Sequence, residues 1–387
     1  MTDDMANILA SMGTLTGAME QELQEMRRLI AEGKTLMEPT VPPVVGDWPK
    51  PKFGGKFAPW AIPSKYLNKH PNNNTLVHKY LTMTNGEINC DGWKWSIALQ
   101  YYDETVNWAK LNIINDSWSN LDEDRQKVPW DPSWKLPDDD DRYNSIINRS
   151  NGMCYLVWQP RYIHASNTLT CGAVNIVKTT ANPDAGTVGD IYTKENGFQP
   201  SRAAGLAQPH GLVDLGDLAW MEINHALALG LPQPYWGDTT GPWRSRFMAP
   251  ATKPIGRTGS DESSRLLIGA RIVYDLSDQR IESWVDGLRE GFRPYAFAIA
   301  EAIRSYGMIL VDNAGDRNRK RGKVYFESNI TAEWEKNIGI TEQDLQFCLH
   351  GLLPNAPFWI AEEPTFPGND INRVAVYPNV IYPEGYR

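Results

Sequence analysis

Cysteine is scarce in this chain: Cys90, Cys154, Cys171 and Cys348 are the only four among 387 residues, and no two form a CxxC pair. So few and so scattered, they exclude the disulfide framework of a small secreted scaffold. Missing too is any run of about 18 apolar residues, the length a helix needs to span a bilayer, so no membrane span is expected. The opening Met-Thr-Asp-Asp has no basic stretch leading into an apolar one, so no secretory signal is expected. Positive charge is in deficit, with 38 Lys and Arg against 47 Asp and Glu and a formal charge of −9. Nucleic acid is held by cationic side chains that displace counterions, so it is excluded as a main partner. These absences describe a protein made in a reducing cytoplasm that leaves the cell by lysis or assembly.

What is present is the composition of an ordinary globular protein, 41% hydrophobic and 22% charged, with an excess of 15 Trp, 16 Tyr and 27 Pro. Trp and Tyr join a large apolar face to a polar tip, which suits interfaces and sugar-stacking platforms as well as a β core. At roughly 150 residues per domain, the length allows two or three units.

The first of these is a stem over residues 1–37. Met5, Met12, Met19 and Met26 fall at heptad position a, and Ile8, Leu15, Leu29 and Leu36 at d, with Glu22 and Gly33 breaking the series. An apolar seam repeating every 3.5 residues is too narrow for one helix to bury, so partner helices are expected around it. The product is a parallel coiled coil about 45 to 50 Å long. We take it as a homotrimer, although methionine at a specifies copy number weakly. Docking of a single amphipathic helix on the head stays open. Residues 38–65 carry seven prolines from Pro39 to Pro63 together with Trp48, Phe53, Phe57 and Trp60. Such density forbids helix and makes this stretch a linker, or a strap across a neighbour.

From Tyr66 onward short apolar alternations predict strands at 93–100, 154–159, 169–177, 271–276, 308–312 and 324–327. Asn85-Gly86 and Asn151-Gly152 mark turns. Helices are expected from Asp217 through Leu229, from Pro294 to Tyr306 with Gly307 as its stop, and after Thr341, presenting Leu345, Cys348, Leu349 and Leu352. The basic run Arg317, Arg319, Lys320, Arg321 and Lys323 reads as a solvated hairpin loop. The expected fold is α+β and mainly β: the coiled-coil helix, then a β-sandwich or jelly-roll-like head over 66–330 with a few inserted helices. A C-terminal helix and Pro-rich extension, 331–387, packs on the head or a neighbour.

Three stretches carry a resemblance. Phe198-Gln-Pro-Ser-Arg-Ala-Ala-Gly-Leu206, Gly211-Leu-Val-Asp-Leu-Gly-Asp-Leu218 and Glu222-Ile-Asn-His-Ala-Leu-Ala-Leu229 resemble a domain of actinobacterial surface proteins and actinobacteriophage minor tail proteins. Gly269–Tyr274, Ile299 to Asp312, Val128-Pro-Trp-Asp-Pro and Cys154–Trp158 extend the likeness over roughly residues 75 to 330. The resemblance implies a virion setting, with the chain synthesised in the host cytoplasm and assembled with other tail proteins. It implies no secure activity.

Chemical motifs are thin. Glu222 and His225, three residues apart on the expected helix, share a face and are the candidate acid–base pair. The metalloprotease pattern lacks its first histidine, and a core histidine satisfied by hydrogen bonds is the plainer reading. Asp138 to Asp141 lack calcium-loop spacing, and no metal or cofactor is expected. Trp158, Tyr162, Tyr192, Trp236 and Trp243 are the candidate glycan-stacking residues. Together these point to a minor tail protein at the tail tip or fibre, binding host envelope glycan. The alternative is an envelope polysaccharide hydrolase or lyase carried on the tail.

Overall fold

The computed structural model describes residues 44–45, 53, 58–115, 119, 126–178, 202–234, 247–251, 265–315, 319–365 and 376–382. Two units divide the chain, Met1–Pro42 and Pro43–Arg387. The first, with the whole heptad seam from Met5 to Leu36, lies outside the described residues.

The described chain starts inside the Pro-rich stretch. Trp60 is buried; its indole N–H donates to Phe53 O at 3.3 Å, and its own carbonyl accepts from Ala226 N at 2.6 Å. Residues 58–63 of the expected strap are therefore built into their own body. Helix α1 (Asn73–Met83) follows, unannounced by the turn-rich sequence around it, and leads into strand β1 (Ile88–Asp91).

Residues 98–178 make two four-stranded sheets. The strands are β2 (Ala98–Tyr102), β3 (Trp108–Ile113), β4 (Lys127–Pro129), β5 (Asn144–Asn148), β6 (Met153–Trp158), β7 (Arg161–Ile163), β8 (Thr168–Cys171) and β9 (Ala173–Lys178). One sheet runs β9-β6-β5-β2 and the other β4-β3-β8-β7. Their facing sides share one apolar cluster, including Tyr102, Ala109, Ile146, Val157 and Leu169. The alternation of a strand explains how the first sheet serves two cores. Along β6, Tyr155 and Val157 enter this cluster, while Cys154 and Leu156 turn to the main core behind. The expected strand 169–177 is in fact two strands in different sheets, broken at Gly172. A Cβ there would stand 2.6 Å from the Trp158 ring, so only glycine lets the chain cross.

The main core is built on a six-stranded sheet of β1, β10 (Leu227–Leu231), β11 (Arg271–Tyr274), β12 (Met308–Asn313), β13 (Gly322–Tyr325) and β14 (Phe358–Ile360). Its order is β14-β11-β12-β10-β13-β1. The pairs β2/β5, β3/β8, β10/β12 and β13/β1 are parallel. The all-antiparallel ladder of a jelly roll is thus not what the described residues form. The architecture is mixed α and β with sheet predominating. Helices α2 (Leu215–Ala219), α3 (Asp278–Asp286) and α4 (Arg293–Tyr306) accompany the sheet. In α4, Ala296, Ile299, Ala300 and Ile303 are buried at helical spacing, and it stops at Gly307 as expected. Gly307 has φ +72, and a Cβ would meet Ile272 O at 2.4 Å.

Two expectations fail here. The helix from Asp217 through Leu229 shrinks to α2, and Leu227–Leu231 becomes a central strand, every residue buried. An apolar run covered on both faces has no period to betray it, so helical and strand readings look alike from sequence. The basic run does not close a hairpin either, because β10 lies between β12 and β13, although Arg319 and Lys320 are exposed as expected. Lys323 is 5% exposed on β13 and donates to the carbonyls of Lys94 and Trp95 at 2.6 and 2.7 Å.

The chain beyond residue 330 continues into the same body. After α5 (Asn329–Ala332) and α6 (Trp334–Ile338), helix α7 (Glu342–Gln346) is capped by Thr341 and Asp344, each side chain binding the other's backbone N–H. Leu345, Cys348, Leu349 and Leu352 are all buried, and β14 pairs antiparallel with β11.

Candidate functional site

Helix α2 begins with reciprocal caps: Asp217 N donates to Asp214 Oδ1 and Asp214 N to Asp217 Oδ2, both at 3.0 Å. Asp217 Oδ2 also lies 3.3 Å from His225 Nε2, and His225 Nδ1 is 3.1 Å from Ala226 O. Burial by itself would strip His225 of its proton. The Asp217 carboxylate, the Ala226 carbonyl and the charge of Asp214 outweigh that, and the His225 pKa stands above its ordinary value. Asp217 is raised as well, by burial and then by Asp214. This buried acid–imidazole link ties the end of α2 to the start of β10. It thereby fixes the loop 220–224 between them, where Met221 adopts φ +54.

The loop forms one wall of a groove of about 590 Å³. Met221, Glu222 and Asn224 line it from the loop, Phe297 and Glu301 from the outer face of α4, and Lys65 from the end of the Pro-rich stretch. Met221 and Phe297 are 51% and 44% exposed, and Trp220, next in the chain to Met221, is 83% exposed. Met221 and Phe297 give the groove its apolar side. The polar groups beside them are hydrogen-bonding ones. Glu222 accepts from Asn224 Nδ2 at 2.9 Å, and Glu301 accepts from Arg304 Nη2 at 2.6 Å. An apolar ledge next to carboxylates and amides matches a sugar, which offers C–H faces and hydroxyls on one ring.

The expected acid–base pair is therefore divided. Glu222 projects into the groove, while His225 is buried beneath the loop with Asp217 as its partner. They do not share a helical face, because α2 ends before either.

Among the aromatic candidates, Trp158 is half-buried, wedged over Gly172 with its N–H on Asp141 Oδ1 at 2.9 Å. It serves the join between the two small sheets. Tyr162 stacks on Trp130 at 5.8 Å and donates its hydroxyl to Asn167 at 2.8 Å. Tyr192, Trp236 and Trp243 lie outside the described residues. The groove residues Met221 and Phe297 were not among the sequence candidates, since neither carries a chemical motif. A second, smaller pocket of about 270 Å³ opens on the sandwich, with Asp103, Asn107, Asp131 and Trp134 in its wall.

Charge also gathers where β12 and β13 meet the sandwich. Arg202, 2% exposed, lies 4.6 Å over the Tyr325 ring, with Lys323 at 5.2 Å from the same ring. Burial pushes Asp312 up to about 6 and Lys323 down to about 8. Among the described residues, no cluster of three or more His, Cys, Asp or Glu is placed to hold a metal. No helix among them is long and apolar enough to cross a membrane.

No protein-family model, no curated protein and no solved structure matches this chain.

Proposed function

We propose that this chain is a minor tail component of a bacteriophage, at the tail tip or in a fibre, which holds host envelope glycan in the groove between loop 220–224 and α4. The observation that carries the reading is the apolar pair Met221 and Phe297 beside Glu222 and Glu301 in one groove. The resemblance supports the setting, and loop 220–224 falls within the stretch that bears it. The heptad seam supports display of the head on a coiled-coil stem, with three chains giving three grooves and avidity for a repetitive polymer. The other tail proteins are its remaining partners, and the virion its final location.

Binding of the intact chain to purified host wall polysaccharide, followed by isothermal titration, tests this. Met221→Ala and Phe297→Ala should each weaken binding by about five- to tenfold, the loss of one apolar contact. Unchanged affinity in both variants would remove the groove from the reading. Release of reducing ends or unsaturated sugars by the wild-type chain would replace binding with hydrolysis or elimination.

A further inference from the structure

Cys90 lies in β1 and is fully buried. Cys348 opens the short helical turn Cys348–Gly351 after α7 and is 3% exposed. Both are free thiols, and their sulfurs are 3.6 Å apart across 258 positions of sequence. Neighbouring bonds hold the two backbones in place. His350 Nε2 meets Asn89 Oδ1 at 2.8 Å, and the carbonyl of Cys348 accepts from Trp284 Nε1 at 2.8 Å. The other two cysteines are not so matched: Cys154 faces the main core and Cys171 the sandwich core.

We propose that Cys90 and Cys348 are a covalent modification site, a thiol pair that a small peroxide converts into a disulfide clasping the C-terminal segment to β1. Two sulfurs 3.6 Å apart are already in contact, whereas sulfurs on distant backbones could not bond without backbone movement. The Cys348 thiolate attacks one peroxide oxygen, the O–O bond breaks, and the departing hydroxide takes a proton to become water. The Cys90 sulfur then displaces the hydroxyl of the Cys348 sulfenic acid, which leaves as water with the Cys90 proton. Two thiols thus lose two hydrogens and one peroxide becomes two waters.

The inference is independent of the glycan reading. Intact folded chain is treated with hydrogen peroxide, alkylated, digested without reductant and mapped by mass spectrometry. The expected result is a peptide linking Cys90 to Cys348, with Cys154 and Cys171 unlinked. The thermal midpoint should rise by about 3 to 8 °C, because the bond restrains a long loop of the unfolded chain, and reductant should reverse the rise. Cys90→Ser and Cys348→Ser, each nearly isosteric, should abolish both effects. Separate sulfinic acids at the two positions without a link, or a link that forms only in denaturant, would overturn the proposal.

Discussion

Arg271 carries more of the tertiary structure than any local pattern suggests. It is 2% exposed on β11 and donates to the carbonyls of Tyr306, Pro59 and Ile62 at 2.5 to 2.8 Å and to the Tyr377 hydroxyl at 3.3 Å. One guanidinium fork therefore satisfies the end of α4, the Pro-rich segment and the C-terminal region together. Arg271→Met should lower the unfolding free energy by about 3 kcal/mol, since several buried carbonyls lose their donor. Arg271→Lys should recover little of this, because a point-like ammonium cannot span the same acceptors. Urea unfolding measures both, and a loss below about 1 kcal/mol for the Met variant would contradict this role. The sequence marks Arg271 only as the first residue of a strand. Partners separated from it by 35 to 212 positions are invisible to any local reading. Glu222 and His225 show the same limit, since their three-residue spacing had meaning only on a helix that does not form there.

At the scale of elements, caps and periodic faces were the most legible features. Gly307 ends α4, and Thr341 caps α7, as local chemistry requires. Burial would raise the Asp344 carboxyl, but hydrogen bonds from Arg289 and Thr341 override it and hold the group down to about 2. A depressed carboxylate contributes stability that is complete above the ordinary range near 3.8 and is lost as pH falls toward 2. Unfolding curves across that window should show wild-type stability falling, with the fall reduced in Asp344→Asn. At neutral pH Thr341→Ala should cost about 1 kcal/mol. An identical acid limb in wild type and Asp344→Asn would exclude this cap as a source of acid sensitivity. Strands β6, β11, β12 and β13 fell on expected strands, while β3, β4, β5, β7 and the fully buried β10 did not.

For the whole molecule, the sheet β9-β6-β5-β2 is decisive, because its two faces supply two different cores and so weld the sandwich to the six-stranded sheet. The proposed stem belongs to this scale as well. Light scattering after size exclusion should give the intact chain a mass near a multiple of 43.7 kDa, and a chain lacking residues 1–37 a single copy. A monomer in both cases would leave the heptad seam without its partner helices and return the head to solitary action.

The sequence by itself determined strand β6, helix α4 with its stop, and the scarcity of cationic and cysteine chemistry. These follow from side-chain alternation, from caps and from composition, all written within a few residues of chain. Tertiary structure alone decided that Leu227–Leu231 is a strand, that Lys323 is buried, that Gly172 splits one apolar run between two sheets, and that Met221 and Phe297 line a groove. Each of those depends on which surface arrives to cover a side chain, and that surface comes from residues far away along the chain.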